Sequence, residues 1–180
     1  QALHIRTAGR LQSGGALVGR HGVALDAAHD VELSDGAIAG SGIRVFTQGG
    51  LSNDTELTAP DALVLSAHGS VELGARSQLS GGSVQMTAVD VDNQGRIASA
   101  GDVGLQALGR LTQRGGLQAA GTARLQAGGD LHNAGSVTAT ALALTVGGDL
   151  LNSDQLLSQQ GLDIAAAGTV NDADGVIAAA

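Results

Sequence analysis

The sequence predicts an all-β protein: a right-handed parallel β-helix with about 20 residues and three short strands per coil, eight to nine coils in all. Three observations predict it. Apolar residues recur on a fixed period of 20. Within each period the paired ones alternate at a spacing of two. The composition is also rich in small residues and almost free of bulky ones, with 29 Gly, one Phe, one Met, one Pro and no Trp, Tyr or Cys in 180 residues.

The period is read from an anchor, the apolar residue that follows a Gly- or Asp-rich step. The anchors are Leu11, Val31, Leu51, Val71, Val91, Leu111, Leu131, Leu150 and Val170, spaced by 20 residues with one step of 19. A second apolar station lies about six residues on, at Leu17, Leu57, Ile97, Leu117, Val137, Leu156 and Val176. It comes late in two coils, as Ile38 after Val31 and as Leu79 after Val71. A third station is an apolar pair: Leu3/Ile5, Val23/Leu25, Ile43/Val45, Leu63/Leu65, Val84/Met86, Val103/Leu105, Ala123/Leu125, Leu142/Leu144 and Leu162/Ile164. Gly closes most units.

Alternation at spacing two is a strand signal. A helix would need a spacing near 3.6, and each interior Gly would cost it roughly 1 kcal/mol. One unit is too small to bury its own apolar side chains, so units must stack. The right hand follows from the strong preference of parallel crossovers. A narrow interior admits Leu, Ile, Val and Ala, whereas Trp or Tyr would overfill it. Gly suits corners that need φ > 0. Pro60, between two stations, reads as a corner, because proline removes a donor from a strand paired on both sides.

Asn recurs two residues after the anchor, at Asn53, Asn93, Asn133 and Asn152. Its side chain turns a corner by bonding local backbone, and stacked Asn side chains bond one another. These four are therefore structural corner positions.

Composition excludes several functions. A net charge of −8 argues against a nucleic-acid partner, which needs a basic face. With 43% hydrophobic and 14% charged residues, disorder is excluded. The absence of Cys removes disulfides and Cys-based metal sites. No apolar run approaches the roughly 20 residues that span a bilayer, so no membrane insertion is expected. Residues 1–20 carry no signal-peptide pattern. The repeat starts and stops mid-pattern. Residues 1–180 thus read as one β-helix segment, an internal fragment of a longer fibrous protein, with open strand edges that favour end-to-end association.

A site on a stacked solenoid would take the form of a column across neighbouring coils. The position before the anchor gives Asp90, Arg110, Asp130 and Asp149, and five residues after the anchor Arg76 stacks on Arg96. Mixed signs read as surface pairs worth about 0–1 kcal/mol each. Asp130 beside Asp149 is the one like-charge contact, able to raise a pKa or hold a cation. Acids and Arg across one face are also what a β-helical polysaccharide lyase or hydrolase would need. The long loops of such a cleft are missing, and the column reads as a solvated face. Arg20-His21-Gly22 matches the opening of a phosphatase motif but lies at a repeat corner. The five His fall at different phases of the repeat, which leaves no stacked metal ligands. No catalytic residue, metal or cofactor is expected.

Gly129-Asp130-Leu131-His132-Asn133-Ala134-Gly135-Ser136-Val137 resembles the G-x-L-x-N-x-G-x-[IVL] pattern of filamentous haemagglutinin repeats. Val91-Asp92-Asn93-Gln94-Gly95-Arg96-Ile97 is a second good copy, and Gly148 to Ser153 keeps the first half. The coils at Val31 and Val71 depart from the pattern, lacking both the Asn and the regular second station. The resemblance implies a structural shaft segment of a secreted bacterial adhesin. Such a protein is exported by two-partner secretion through an outer-membrane partner, and its parent chain meets host receptors or glycans. The alternative is that the segment itself binds a host glycan or receptor, at the irregular coils 31–50 and 71–90. Without Trp or Tyr platforms, such binding would be weak per site and depend on many repeats.

Overall fold

The computed structural model describes residues 1–180. It contains twenty β-strands and no helix. Its strand pairs are parallel, and nearly every pair links a residue to its counterpart about 20 positions away. The chain is a parallel β-solenoid of about nine turns.

Three inward ladders run along the axis. The first stacks Leu11, Val31, Leu51, Val71, Val91, Leu111, Leu131, Leu150 and Thr169. The second stacks Leu17, Ile38, Leu57, Leu79, Ile97, Leu117, Val137, Leu156 and Ile177. The third carries every apolar pair in register, from Leu3/Ile5 to Leu162/Ile164. The late residues Ile38 and Leu79 therefore stay on the second ladder, and their extra residues are absorbed in the corner before it.

The last coil corrects the sequence register. Thr169, not Val170, stacks on Leu150, and Ile177, not Val176, stacks on Leu156. Val170 and Val176 point outward, 54% and 44% exposed. The step from Leu150 to Thr169 is 19 residues and that from Leu156 to Ile177 is 21, so a count of 20 overshoots the first inward position and falls short of the second. A one-residue slip turns every side chain to the opposite face.

The strands are also less separate than three short pieces per coil. Five continuous strands, Glu56–Ala67, Gln78–Ala88, Gly116–Ala127, Val137–Asn152 and Gln155–Asn171, run through the corner between the second and third stations. Register steps at Gly81/Ser83, Ala119/Thr122 and Ala139/Ala141 absorb the bend. Pro60 sits within the first of these strands, exposed, at the unpaired step between Ala59 and Ala62. A bulge leaves a position with no ladder donor to lose, which suits proline.

Inside, the ladders form one apolar column, with Leu57, Leu63, Leu65, Ala123 and Leu125 fully buried. Phe46 does not enter it. It lies on the outer face of the third sheet, edge-on to His68 at 5.5 Å and 82°.

Candidate functional site

The position two residues after the anchor organises the molecule. Asn53, Asn93, Gln113, Asn133 and Asn152 are all 0% exposed there. These amides make two kinds of hydrogen bond. One folds back over the amide's own corner: Asn53 Nδ2 donates to Thr55 O (3.0 Å), Gly95 N–H donates to Asn93 Oδ1 (3.1 Å), Gln113 Nε2 donates to Gly115 O (3.0 Å) and Asn152 Nδ2 donates to Asp154 O (2.8 Å). The other reaches along the axis. Asn93 Nδ2 donates to Gln113 Oε1 (2.9 Å), Asn133 Nδ2 to Asn152 Oδ1 (2.7 Å) and Asn152 Nδ2 to Asn171 Oδ1 (2.7 Å). Asn53 Oδ1 and Asn133 Oδ1 are buried without a partner. Buried amides that bond both backbone and neighbour hold the corner closed.

The departing coils follow from the same rule. Where the position is an amide or Ser13, three residues separate it from the second ladder in every coil but the last. Where it is Leu33 or Leu73, both inward and buried, no side chain closes the corner. The corner then lengthens to four and five residues. In the first case Asp35 (φ 34°) and Gly36 (φ 82°) turn through left-handed backbone. In the second, Ser77 turns inward, and its Oγ accepts from Asn53 Nδ2 at 2.5 Å. Asn171 also has a five-residue corner, and its Nδ2 reaches Gly175 O (2.7 Å).

Asp90, Arg110, Asp130 and Asp149 occupy successive coils, and the acids act on backbone. Asp90 Oδ1 accepts the Arg110 N–H (2.7 Å), and Asp130 Oδ1 accepts the Asp149 N–H (3.0 Å). Asp30 and Asp102 treat Gly50 and Thr122 in the same way, each at 2.8 Å. Arg110 reaches the Asp130 carboxylate only at 4.0 Å, with both side chains more than half exposed.

This explains the closing glycines better than positive φ does, since only Gly22 and Gly36 adopt it. A Cβ at Gly109 would stand 2.5 Å from Asp90 Oδ1, and one at Gly148 would stand 2.3 Å from Asp130 Oδ1. The glycine makes room for the carboxylate of the coil before it. An Asp followed 18 or 19 residues later by Gly is the sequence signal for these caps. Gln113 and Asn171 also hold the corner position, the first with a different amide and the second directly after Val170.

Arg76 does not stack on Arg96, whose neighbours are Gln78 and Gly116. The two extra residues of its coil carry Arg76 into the corner. There it binds Asp54 through Nη2 (2.6 Å) and Nε (2.7 Å), and meets Asp35 at 3.4 Å. One guanidinium thus ties three coils together. The Arg76 hydrogen bonds hold the Asp54 carboxyl below its ordinary 3.8. The same bond raises Arg76. A depressed folded-state pKa contributes stability above 3.8 that is lost as pH falls through the lower folded value. We expect Arg76→Gln to lower the melting temperature slightly at neutral pH, with the gap to wild type closing as the pH falls well below 3.8. Melting curves of both proteins across that range check this; a gap constant with pH rules out the ion pair as its source.

An open groove of about 530 Å³ crosses the anchor face, lined by Ser70, Glu72, Asp90, Asp92, Arg110 and Asp130 among others. Most of its acids are already engaged. Asp90 and Asp130 cap backbone, and Asp92 Oδ2 binds Arg114 (2.8 Å). No three His, Asp or Glu side chains gather as metal ligands. Arg20 and His21 are exposed at a corner. The arrangement suits holding corners together.

Fold and corner together define a repetitive solenoid whose recurring polar residues are structural. The profile of the haemagglutinin repeat family matches residues 2–75 and again 47–180, and the chain belongs to that family. No curated protein and no solved structure matches it.

Proposed function

We propose that the chain is a segment of the rigid shaft of a secreted, surface-exposed bacterial filamentous adhesin. The shaft holds the binding regions of its parent protein away from the cell, where they meet host receptors or glycans. The observation that carries this reading is the continuity of three ladders through about nine turns with no inserted loop. Backbone hydrogen bonds and apolar layers both run along the axis, so each coil adds about 4.8 Å of stiff length. Membership of the haemagglutinin repeat family supports the adhesin context, and with it export through an outer-membrane partner.

The test is binding by the purified chain to host cells and to a glycan array. A shaft segment gives no saturable signal at high protein concentration. Saturable binding that is lost on replacing Arg76 and Asp35 would instead make the irregular coils a receptor site.

A further inference from the structure

The chain contains two Asp-Gly steps, Asp35-Gly36 and Asp174-Gly175. This pairing is chemically distinctive, because glycine sets no side chain between its own nitrogen and the carboxyl of the aspartate before it. A folded chain ordinarily commits that nitrogen to a hydrogen bond. The two steps differ here. The Gly175 N–H donates to Asp172 O at 2.9 Å, whereas the Gly36 N–H reaches no carbonyl. Asp35 is also the one non-glycine residue with positive φ, at 34°, and Gly36 follows at 82°. Left-handed backbone crowds the Cβ of an L-residue against a carbonyl oxygen, so Asp35 is held in a strained conformation. Its carboxylate is loosely tied. The one partner is Arg76 Nη1 at 3.4 Å, and the Asp35 side chain is 69% exposed.

We propose that Asp35 is a covalent modification site, at which the folded chain isomerises to isoaspartate without an enzyme. The Gly36 nitrogen attacks Cγ of the neutral Asp35 carboxyl. The N–Cγ bond forms and the Cγ–OH bond breaks. The amide proton leaves with the hydroxyl as water, and a succinimide ring closes. Water then opens the ring. Addition at Cγ breaks the new bond and restores aspartate. Addition at the main-chain carbonyl carbon of Asp35 breaks its bond to Gly36 N instead. The chain then runs through Cβ and Cγ, and the former main-chain carboxylate becomes the side group. One water leaves and one returns, so no other reactant is needed. The product frees the corner of its strain, because the Cβ that crowded the carbonyl is now part of the chain. It also lengthens the corner by one backbone atom. Gly36 lies against the Gly15 backbone, its O accepts the Thr55 hydroxyl, and Arg76 joins Asp35 to Asp54. The change therefore falls on contacts to the coils on both sides. It needs only water and stands apart from the shaft reading.

The test is incubation of the purified chain in mildly acidic buffer, where more of an ordinary carboxyl is neutral, made up in water enriched in oxygen-18. Each opening of the ring inserts one solvent oxygen. Peptides are then analysed by a fragmentation method that separates isoaspartate from aspartate. A parallel sample unfolded in guanidinium chloride gives the intrinsic rate of each Asp-Gly step. Residue 35 should gain labelled isoaspartate in the folded chain at a rate within a few-fold of that in the unfolded chain. Residue 174, whose glycine N–H is engaged, should be slowed several-fold more by folding. Asp35→Glu keeps the charge beside Arg76 but cannot close the same ring, and it should lose the label at residue 35. Folding that suppresses the reaction at residue 35 as strongly as at residue 174 would overturn the proposal. Labelling that persists in Asp35→Glu would overturn it as well, since the oxygen would then enter by a route other than the succinimide.

Discussion

Gly115→Ala should destabilise the chain by more than about 3 kcal/mol, beyond the usual range for overpacking. A Cβ at Gly115 would lie 1.8 Å from Gly95 O and 2.8 Å from Gln94 C. Neither is a flexible side-chain tip. Gly95 O already accepts the Gly116 N–H at 3.0 Å, and Gly115 O accepts Gln113 Nε2 at the same distance. The methyl must therefore push apart two coils and break the amide corner. The tight approach recurs along the axis, since a Cβ at Gly135 would meet Gly115 O at 2.1 Å. For a chain of this size the melting temperature should fall by roughly 10 °C. Gly116→Ala is the matched control. Its Cβ would find only Arg96 Cγ, at 4.0 Å, and it should change stability by less than about 0.5 kcal/mol. Equal losses from the two variants would show that chain flexibility, not coil contact, decides the effect.

The apolar ladders were legible because alternation and a fixed period are local signals that stacking only reinforces. Leu63/Leu65 and Leu142/Leu144 needed no tertiary information to be placed inward. Val170 was misplaced because the period counts residues, while the ladder counts positions on a pleat. The corner between Ala166 and Gly168 is one residue shorter than its counterpart between Val146 and Asp149, and only the facing strand reveals it. Pro60 shows a second limit. Its exclusion from a regular ladder is local chemistry, but whether the chain breaks or bulges there depends on Ala59 and Ala62 still pairing on either side.

The polar residues were legible in part. Asn53, Asn93, Asn133 and Asn152 announced themselves by repetition. Gln113 did not, although its amide does the same work with one more methylene. The aspartates misled for a related reason. Asp90, Arg110 and Asp130 form a column of alternating charge, which suggests ion pairs. Their strongest bonds are instead to backbone N–H groups, whose direction a sequence does not display. The missing clue was the glycine one coil on, which has no side chain to draw attention to itself.

Asn133→Leu should cost about 2 kcal/mol, from the buried acceptor it leaves unpaired, offset by burial of the new apolar side chain. Asn133 Nδ2 supplies the Asn152 Oδ1 at 2.7 Å and reaches Gln155 O at 3.3 Å. Leucine is not foreign to this ladder, because Leu33 and Leu73 occupy it two coils apart, on either side of Asn53. Both come with longer corners, whereas Asn133 is followed by only three residues before Val137. The fold thus offers two solutions at each corner: a short turn closed by an amide, or a longer turn around an apolar side chain. Asn133→Leu combines the side chain of one with the turn of the other. The melting temperature should fall by roughly 4–8 °C. Replacing Ala134–Ser136 in that variant with the five-residue corner Gly74–Gln78 should recover part of the loss, since that turn brings its own inward serine. A single variant as stable as wild type would mean that the amides follow the corner and do not make it. A graft that recovers nothing would mean that each corner is fixed by its two neighbouring coils and not by its own residues.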